Sequence, residues 1–260
     1  MFFVLYSKVG LSVQLITSSL QQLSQDHIDL WTIDPTQLSE ASIQHLQAIL
    51  STNELNKLSQ FKNKRAQHTA FVARALCRLV LAHYTQLAAS ELIFVRNQHG
   101  KPELANNQHK VRFNLSHNND LIILSVCVKD DIGCDIENPS RKVNVEPLTR
   151  RYFSQQEHTE LCGLTNEIQT SRFFEMWTLK EAFVKATGVG ISLGLDSFYF
   201  NKVSAENAIK IIFNNNYTLD KNHSWQFHQQ QLANQLLAIC RSSELKQKIN
   251  FLKAEQLINS

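Results

Sequence analysis

The chain has 260 residues, of which 26 are Lys or Arg and 23 are Asp or Glu, so its formal net charge is +3. A hydrophobic fraction of 43% is ample for a packed core and argues against a disordered protein. The weak positive charge argues against general nucleic-acid binding, which needs a dense basic face, but it suits an acidic protein partner. The five cysteines form no Cys-x-x-Cys pair, which argues against a disulfide framework or a zinc cage.

Residues 1–6 are apolar, as they are in a secretion signal. No basic region precedes them, however, and Ser7, Lys8 and Gln14 interrupt the apolar run. No stretch of the sequence approaches the roughly 20 apolar residues that a membrane span needs. We therefore predict a soluble, cytoplasmic, monomeric protein without membrane or nucleic-acid partners. We interpret residues 1–26 as an N-terminal extension.

The first half of the chain is predicted to combine one long helix with short strands. Residues 27–34 are typical of a strand, and two short helices are predicted over 36–60. A longer helix is predicted over 64–84, because apolar residues recur there at helical spacing. Further strands are predicted at 92–96, 111–114 and 121–128, where turn residues separate the apolar runs.

The second half repeats this order of elements. A strand at 132–137 and a short helix near 154–161 precede a long helix over about 167–186, which ends before Gly188. Short strands are predicted near 197–201, 209–213, 224–227 and 236–240. Hairpin-like connections without strand–helix–strand alternation favour an antiparallel α+β fold. The predicted division is an N-terminal half at 27–130, a C-terminal half at 131–245 and a tail at 246–260.

The segment Ile-Gly-Cys-Asp-Ile-Glu at 132–137 places two acids on one face of a predicted strand. Alternation along the strand directs Asp135 and Glu137 to the same side, while Ile132, Cys134 and Ile136 point into the core. Two ionised carboxylates about 7 Å apart repel each other. A divalent cation that prefers hard oxygen ligands, such as Mg²⁺, removes this conflict. Read alone, the segment also fits a half-exposed strand with two solvated acids.

The predicted helix at 167–186 carries a second pair of charged residues. Glu181 and Lys185 are four residues apart and therefore share a helix face. By themselves they fit an ordinary surface ion pair, worth roughly a few tenths of a kcal/mol. Beside a cation held by Asp135 and Glu137, Glu181 would complete the ligand set, and Lys185 would reach a phosphate bound to the same ion.

Two further segments carry groups suited to phosphate binding. The segment Phe-Asn-Leu-Ser-His at 113–117 ends a predicted strand in the hydroxyl of Ser116 and the imidazole of His117. No Gly-x-Ser-x-Gly elbow surrounds this serine, so a serine nucleophile is not expected. In the segment 96–102, Pro102 stiffens a turn that presents Lys101 to a ligand. Read alone, both segments also fit plain turns.

Taken in order, these segments resemble the motifs of the 4′-phosphopantetheinyl transferases, in particular the larger, single-chain class that activates peptide, polyketide and fatty-acid synthases. The family pattern is Gly-Lys-Pro, Phe-Asn-(Ile/Val/Leu)-Ser-His, (Ile/Val)-Gly-x-Asp-(Ile/Leu)-Glu and Trp-(Ser/Thr/Ala)-x-Lys-Glu-(Ala/Ser)-x-x-Lys. It is matched here at 100–102, 113–117, 132–137 and 177–185. The resemblance covers about 64–195. It implies two similar halves, each a small, mostly antiparallel sheet packed on a long helix, with the ligand in the cleft between them.

The resemblance also implies roles for individual residues. Asp135, Glu137 and Glu181 match the metal ligands of the family, with Mg²⁺ as the expected ion and Mn²⁺ as an alternative. Glu181, Lys185 and His117 match the catalytic residues. The matched contacts to coenzyme A are Lys185 on the pyrophosphate, Ser116 and His117 on phosphates, Lys101 and Pro102 in the turn against the adenine, and Arg74, Arg96 and Lys180 as further basic groups.

The chain departs from the family pattern in two places. The first ~25 residues and the tail after about residue 245 have no counterpart in it, and one position within the matched region differs. Thr69 stands where many members carry a basic residue. The group that binds the 3′-phosphate therefore stays open among Lys62, Lys64, Arg65 and Arg74.

The reaction implied by the resemblance is attack of a carrier-protein serine on the β-phosphate of coenzyme A, with release of adenosine 3′,5′-bisphosphate. Either Glu181 or a metal-bound water would accept the serine proton. Four basic residues either meet an acidic carrier surface or form a solvated loop: Arg141, Lys142, Arg150 and Arg151. Two other functions stay open, a Mg²⁺-dependent nucleotide pyrophosphate hydrolase and an inactive module that binds coenzyme A or a carrier.

Overall fold

The computed structural model describes residues 23–203, 208–217 and 223–258, so most of the expected N-terminal extension lies outside the described residues. The helices are α1 (Glu40–Ala48), α2 (Thr52–Ser59), α3 (Lys64–Thr85), α4 (Val145–Tyr152), α5 (Gln155–Cys162), α6 (Asn166–Thr187) and α7 (Glu255–Ile258). The strands are β1 (His27–Ile33), β2 (Phe94–Arg96), β3 (Pro102–Leu104), β4 (Val111–His117), β5 (Ile122–Val128), β6 (Ile132–Glu137), β7 (Phe198–Val203), β8 (Ala208–Phe213), β9 (Trp225–Leu232), β10 (Gln235–Ser242) and β11 (Lys248–Lys253).

Among the described residues, the first of two compact units contains 23–95, Glu103–Lys129 and 248–258. Its four-stranded sheet has the order β11-β1-β5-β4, and β5 is antiparallel to both of its neighbours. Helix α3 contributes Val72 and Leu76 to a core that also contains Leu124 and Val126 of β5. Apolar residues at helical spacing thus meet the inward face of a strand.

The C-terminal segment corrects the sequence-based division. Residues 246–260 were expected to form a tail, but β11 pairs parallel with β1, with His27 opposite Lys248. Helix α7 follows, and its Ile258 is buried in the same core as α3. Because the two paired strands are more than 200 residues apart in sequence, no local pattern could reveal this pairing.

A buried polar network holds β1, α3 and β11 together. The side-chain amide of Asn250 on β11 donates to Asp29 Oδ1 at 2.8 Å, and Tyr84 on α3 donates its hydroxyl hydrogen to the other oxygen of Asp29. Trp31 Nε1 donates to the Tyr84 hydroxyl oxygen at 2.9 Å. Burial raises the pKa of Asp29, although the hydrogen bonds from Tyr84 and Asn250 oppose the increase.

The second unit contains Arg96–Pro102 and Asp130–Gln247. Its three-stranded sheet has the order β6-β10-β9 with antiparallel pairs, and β7 and β8 form a separate hairpin. Helix α6 packs on β6 and β10, where Phe183 joins a core with Ala238 and Cys240. Residues 96–102 group with this unit, whereas the sequence-based division placed them in the N-terminal half.

The predicted α+β class is confirmed. Each unit packs a helix of 22 residues, α3 or α6, on a small and mostly antiparallel sheet. Four elements were not expected from the sequence: the short strand β3, helix α4, strand β11 and helix α7. Among the described residues, no helix combines the length and the apolar character that crossing a membrane requires.

The helix ends follow from local sequence. Ser51 with Glu54, and Ser154 with Glu157, form capping boxes that satisfy the first N–H groups of α2 and α5. Helix α6 ends at Gly188, whose φ of 70° lies in the left-handed region that favours glycine.

We predict that Tyr84→Phe lowers the free energy of unfolding by about 2–3 kcal/mol, because it leaves Trp31 Nε1 and a buried oxygen of Asp29 without the hydroxyl. Urea unfolding followed by tryptophan fluorescence measures the change. A loss below about 0.5 kcal/mol would show that the network does not hold β1, α3 and β11 together.

Candidate active site

Strand β6 presents the two predicted metal ligands of the second half. It is an edge strand of its sheet, and Asp135 stands opposite Ala238 of β10. Asp135 is 5% exposed, and Glu137 is half-buried at the end of the strand. The sequence therefore correctly predicted the strand, but Asp135 is more deeply buried than a solvated acid.

Helix α6 places Lys185 and Glu181 beside this strand. Lys185 Nζ lies 2.6 Å from Asp135 Oδ1. Burial alone would lower the pKa of Lys185, but attraction to Asp135 and the hydrogen bond with it outweigh burial, so the pKa is raised. The ammonium group therefore stays charged and is the counter-ion of Asp135.

The three carboxylates of this acid cluster (Asp135, Glu137 and Glu181) interact electrostatically. Burial raises the pKa of Glu181 to about 6; the charge of Lys185 opposes this increase, whereas Asp135 and Glu137 reinforce it. Burial and repulsion by Asp135 also raise the pKa of Glu137, although Arg141 counteracts them. Burial is thus the main cause of both pKa shifts, and repulsion between the carboxylates adds to it.

The acid cluster has the chemistry of a site for a hard cation. All of its donors are carboxylate oxygens, and their mutual repulsion is the conflict that a divalent cation removes. Within the described part of the chain, however, no three His, Cys, Asp or Glu side chains already form a metal-ligand arrangement. In this structure the positive charge beside Asp135 is that of Lys185.

A glycine brings the strand and the helix together. A Cβ at Gly133 would lie 2.0 Å from the carbonyl oxygen of Ala182 and 2.4 Å from the nitrogen of Ala186. No side chain fits there, so the backbones of β6 and α6 meet directly. Asp135 comes two residues after this contact and Lys185 one residue before it on the helix, and the close approach therefore permits their ion pair.

The structure corrects the predicted role of Lys180. Its side chain is 0% exposed, and its Nζ lies 2.8 Å from Glu157 Oε2. The same ammonium donates to the carbonyl oxygens of Leu195 and Phe198, both at 2.7 Å. Burial lowers the pKa of Lys180, although Glu157 opposes the decrease. Three donors with three internal acceptors leave nothing for a cofactor phosphate, so Lys180 is a structural residue.

The predicted adenine turn also belongs to the second unit. Lys101 Nζ donates to the carbonyl oxygens of Ile132 and Ala186, both at 3.0 Å. Arg96 is exposed and donates from Nη1 to the Gly100 carbonyl oxygen at 2.7 Å. Pro102 is exposed at the start of β3. The ammonium of Lys101 is therefore engaged with the protein itself.

Three predicted coenzyme A contacts lie in the first unit. Ser116 is buried in β4 opposite Ile123 of β5, and His117 is the exposed last residue of β4. Arg74 is half-buried on α3. The strand extends three residues beyond its predicted end at 114, and it ends in the hydroxyl–imidazole pair that the sequence indicated. The roles of these three residues stay predictions.

The basic loop after β6 is partly engaged with the acids. Arg141 Nη2 lies 3.2 Å from Glu137 Oε2, and its guanidinium lies 5.4 Å from the ring centroid of Phe174. Arg150 pairs with Glu146 at 2.5 Å. The pairing of Arg141 with Glu137 was not expected, because the i, i+4 rule applies to helices and these residues lie at a strand end and in a loop.

Comparisons with known proteins match both parts of the chain. A family described as "4'-phosphopantetheinyl transferase superfamily" matches residues 131–240, and one described as "4'-phosphopantetheinyl transferase, N-terminal" matches residues 34–129. The 4'-phosphopantetheinyl transferase HetI of Nostoc sp. is 33% identical over 172 residues, which are 65% of this chain and 72% of HetI. The chain belongs to this superfamily. The predicted family and the predicted enzyme class, a transferase, are therefore confirmed.

A further relative by sequence agrees with this assignment. The 4'-phosphopantetheinyl transferase Sfp of Bacillus subtilis is 31% identical over 163 residues, 62% of this chain and 70% of Sfp. A crystal structure of a holo-(acyl-carrier-protein) synthase from Bacillus anthracis aligns with a TM-score of 0.35 and 19% identity, covering 43% of this chain and 93% of that one. The family assignment rests on the sequence matches.

We predict that Gly133→Ala destabilises this transferase by about 3 kcal/mol, because the added methyl group must push apart two backbones. Denaturant unfolding measures the loss, and the transfer rate should fall with it. Gly163→Ala is the matched control, since a Cβ there meets its nearest atom at 3.5 Å. Equal stability of the two variants would contradict the close approach.

Proposed function

We propose that this chain holds Mg²⁺ through Asp135, Glu137 and Glu181 and transfers the 4′-phosphopantetheine group of coenzyme A to a serine of a carrier protein. The observation that carries the proposal is the 2.6 Å contact between Lys185 and Asp135, with Glu137 and Glu181 close enough to alter each other's pKa. A set of oxygen donors beside a lysine suits an ion and a pyrophosphate that bind together. When bound, Mg²⁺ supplies neutralisation of the charge that develops on the pyrophosphate.

The reaction is a substitution at phosphorus. The serine oxygen of the carrier forms a bond to the β-phosphorus, and the bond from that phosphorus to the bridging oxygen breaks. Adenosine 3′,5′-bisphosphate leaves with the electron pair. The serine proton passes to the carboxylate of Glu181. No nucleophile of the enzyme takes part, so the protein contributes positioning and charge.

Lys185 and His117 are proposed to offset the charge on the phosphate oxygens. Lys185 extends from α6 toward Asp135, and its ammonium group can form an ion pair with the carboxylate or with a phosphate. His117 is exposed at the end of β4 and can donate from its imidazole. Ser116, Arg74, Arg96 and the turn with Lys101 and Pro102 are proposed contacts to the remainder of coenzyme A.

The carrier is proposed to present an acidic surface. Lys142 and Arg151 are exposed between β6 and α5, and the guanidinium of Arg151 lies 5.0 Å from the ring centroid of Tyr152. Arg150 is less suited to this role, since Glu146 already neutralises it. Opposite charges on the two partners accelerate their encounter.

That the enzyme is cytoplasmic, monomeric and without nucleic-acid partners stays a prediction.

Intact-mass analysis of apo-carriers incubated with this protein, Mg²⁺ and coenzyme A tests the proposed function. The expected result is a gain equal to one phosphopantetheine group. Release of adenosine 3′,5′-bisphosphate without any carrier would favour a hydrolase instead. Binding of coenzyme A and carrier without a mass change, across carriers of fatty-acid, polyketide and peptide synthesis, would favour an inactive module.

We predict that Glu181→Gln lowers the rate of transfer at least about 100-fold, because the amide cannot accept the serine proton and is a weaker metal ligand. The rate is measured by the same mass assay, and circular dichroism verifies the fold. Glu167→Gln, which changes an exposed acid in the first turn of the same helix, serves as the control. Turnover near that of the unmodified enzyme would refute the role of Glu181.

We also predict that Arg151→Glu raises the KM for the carrier about tenfold and leaves the KM for coenzyme A unchanged, because it places a negative charge where the acidic carrier is expected to bind. Steady-state kinetics at low salt provide the measurement. Lys57→Glu makes the same change in net charge on the exposed surface of α2. If both variants have the same effect, Arg151 is not part of the carrier surface.

A further inference from the structure

The turn between β2 and β3 is held in shape by the side chain of Asn97. Asn97 Oδ1 accepts hydrogen bonds from the backbone N–H groups of His99 and Lys101, both at 2.9 Å. The backbone closes the same loop, since Asn97 N donates to Lys101 O and Gly100 N donates to Asn97 O, both at 3.0 Å. An asparagine that binds its own downstream backbone in this way fixes a turn.

The same side chain docks the turn on the end of α6. Asn97 Nδ2 donates to the carbonyl oxygen of Gly188 at 3.1 Å. Lys101 Nζ adds two bonds at 3.0 Å, to Ala186 O near the helix end and to Ile132 O at the start of β6. The last carbonyl groups of a helix lack partners within the helix, and a cation there is also favoured by the helix dipole.

Gly188 makes room for this docking. A Cβ on it would lie 2.9 Å from Asn97 Nδ2 and 3.1 Å from Lys101 Cδ. The glycine therefore serves two purposes, since its positive φ ends the helix and its missing side chain admits the turn.

The docked turn contacts both elements that carry the acid cluster. Ala186 directly follows Lys185 on α6, and Ile132 lies three residues before Asp135 on β6. The side chains of Asn97 and Lys101 take part in five hydrogen bonds. Two of these lie within the turn, and three bind it to β6 and to the end of α6. Together they set the position of 97–101 relative to these two elements.

We propose that Asn97 and Lys101 are positioning residues, which fix the turn against the end of α6 and so set the distance between the nucleotide of coenzyme A and the acid cluster. This inference rests on the proposed function, in which the turn receives the adenosine 3′,5′-bisphosphate part. The ammonium of Lys101 acts through the two carbonyl groups that it binds and not through a phosphate. Pre-organisation of the turn lowers the entropy cost of nucleotide binding.

The test compares two changes at Asn97. Asn97→Ala removes the two side-chain bonds within the turn and the bond to Gly188, whereas Asn97→Asp keeps the acceptor for the turn and loses the donor to Gly188. We expect both variants to weaken binding of adenosine 3′,5′-bisphosphate about tenfold in calorimetry, and to raise the KM for coenzyme A with kcat within about twofold. The KM for the carrier should not change, and Asn53→Ala, at an exposed position of α2 outside the turn, should behave as the unmodified enzyme.

The outcomes separate this proposal from the proposed function. Pantetheine 4′-phosphate lacks the nucleotide, so all variants should bind it with the same affinity. A purely structural defect would weaken the binding of pantetheine 4′-phosphate as well, and that result would overturn the proposal. Nucleotide affinity of Asn97→Asp equal to that of the unmodified enzyme would also overturn it. Failure of the unmodified enzyme to modify any apo-carrier contradicts the proposed function, whichever result the nucleotide gives.

Lys101→Met provides an independent test of the proposal. It is the decisive test in the event that Asn97→Ala does not fold. It removes the bonds to Ala186 and Ile132 while retaining the aliphatic length. We expect the nucleotide to bind about tenfold more weakly, with the same dependence on salt as in the unmodified enzyme. A weaker salt dependence would show that the ammonium binds a phosphate, and it would overturn the positioning role of Lys101.

Discussion

The direct contact between the backbones of β6 and α6 is the constraint on which the rest of the site depends. Gly133 allows the contact, and the ion pair between Asp135 and Lys185 follows from it. A strand and a helix normally keep their backbones apart by the thickness of two side chains. Without that spacing, acids on the strand and charged groups on the helix share one small, half-buried volume, where burial and repulsion between carboxylates raise the pKa of Glu137 and Glu181.

The elements that carry this site could be predicted because their patterns are local. Strand β6 was predicted with its correct bounds, and α6, whose end Gly188 marked, was predicted to within one residue at each end. The resemblance to the transferases then linked Asp135 and Glu181, which lie on different elements. Their proximity itself could not be derived from spacing, and Gly133 was the one local sign of it, since a glycine inside a strand indicates a close approach of other backbone.

Other features depend on contacts that no local pattern encodes. Strand β11 pairs with β1 across almost the whole chain, and its charged ends resemble those of a polar tail. The docking of Asn97 on Gly188 joins residues that are 91 positions apart. Asparagine and glycine are common in turns for purely local reasons, so the sequence predicted the turn at 96–102 but not the surface against which it packs.

Lys180 shows that a residue of the family motif can have a structural role next to a residue of the acid cluster. Adjacent helix residues point about 100° apart, so a helix that directs Glu181 toward the acids must direct Lys180 elsewhere. Here it enters the interior, where Glu157 and two carbonyl groups bind the ammonium. Glu157 also caps α5 through Ser154, so the pair connects that helix end to α6. A buried charge tolerates little displacement from its partners, because each lost contact leaves a desolvated ion. The rotation of α6 about its own axis, and with it the direction of Glu181, is therefore fixed by a residue that never needs to contact the substrate.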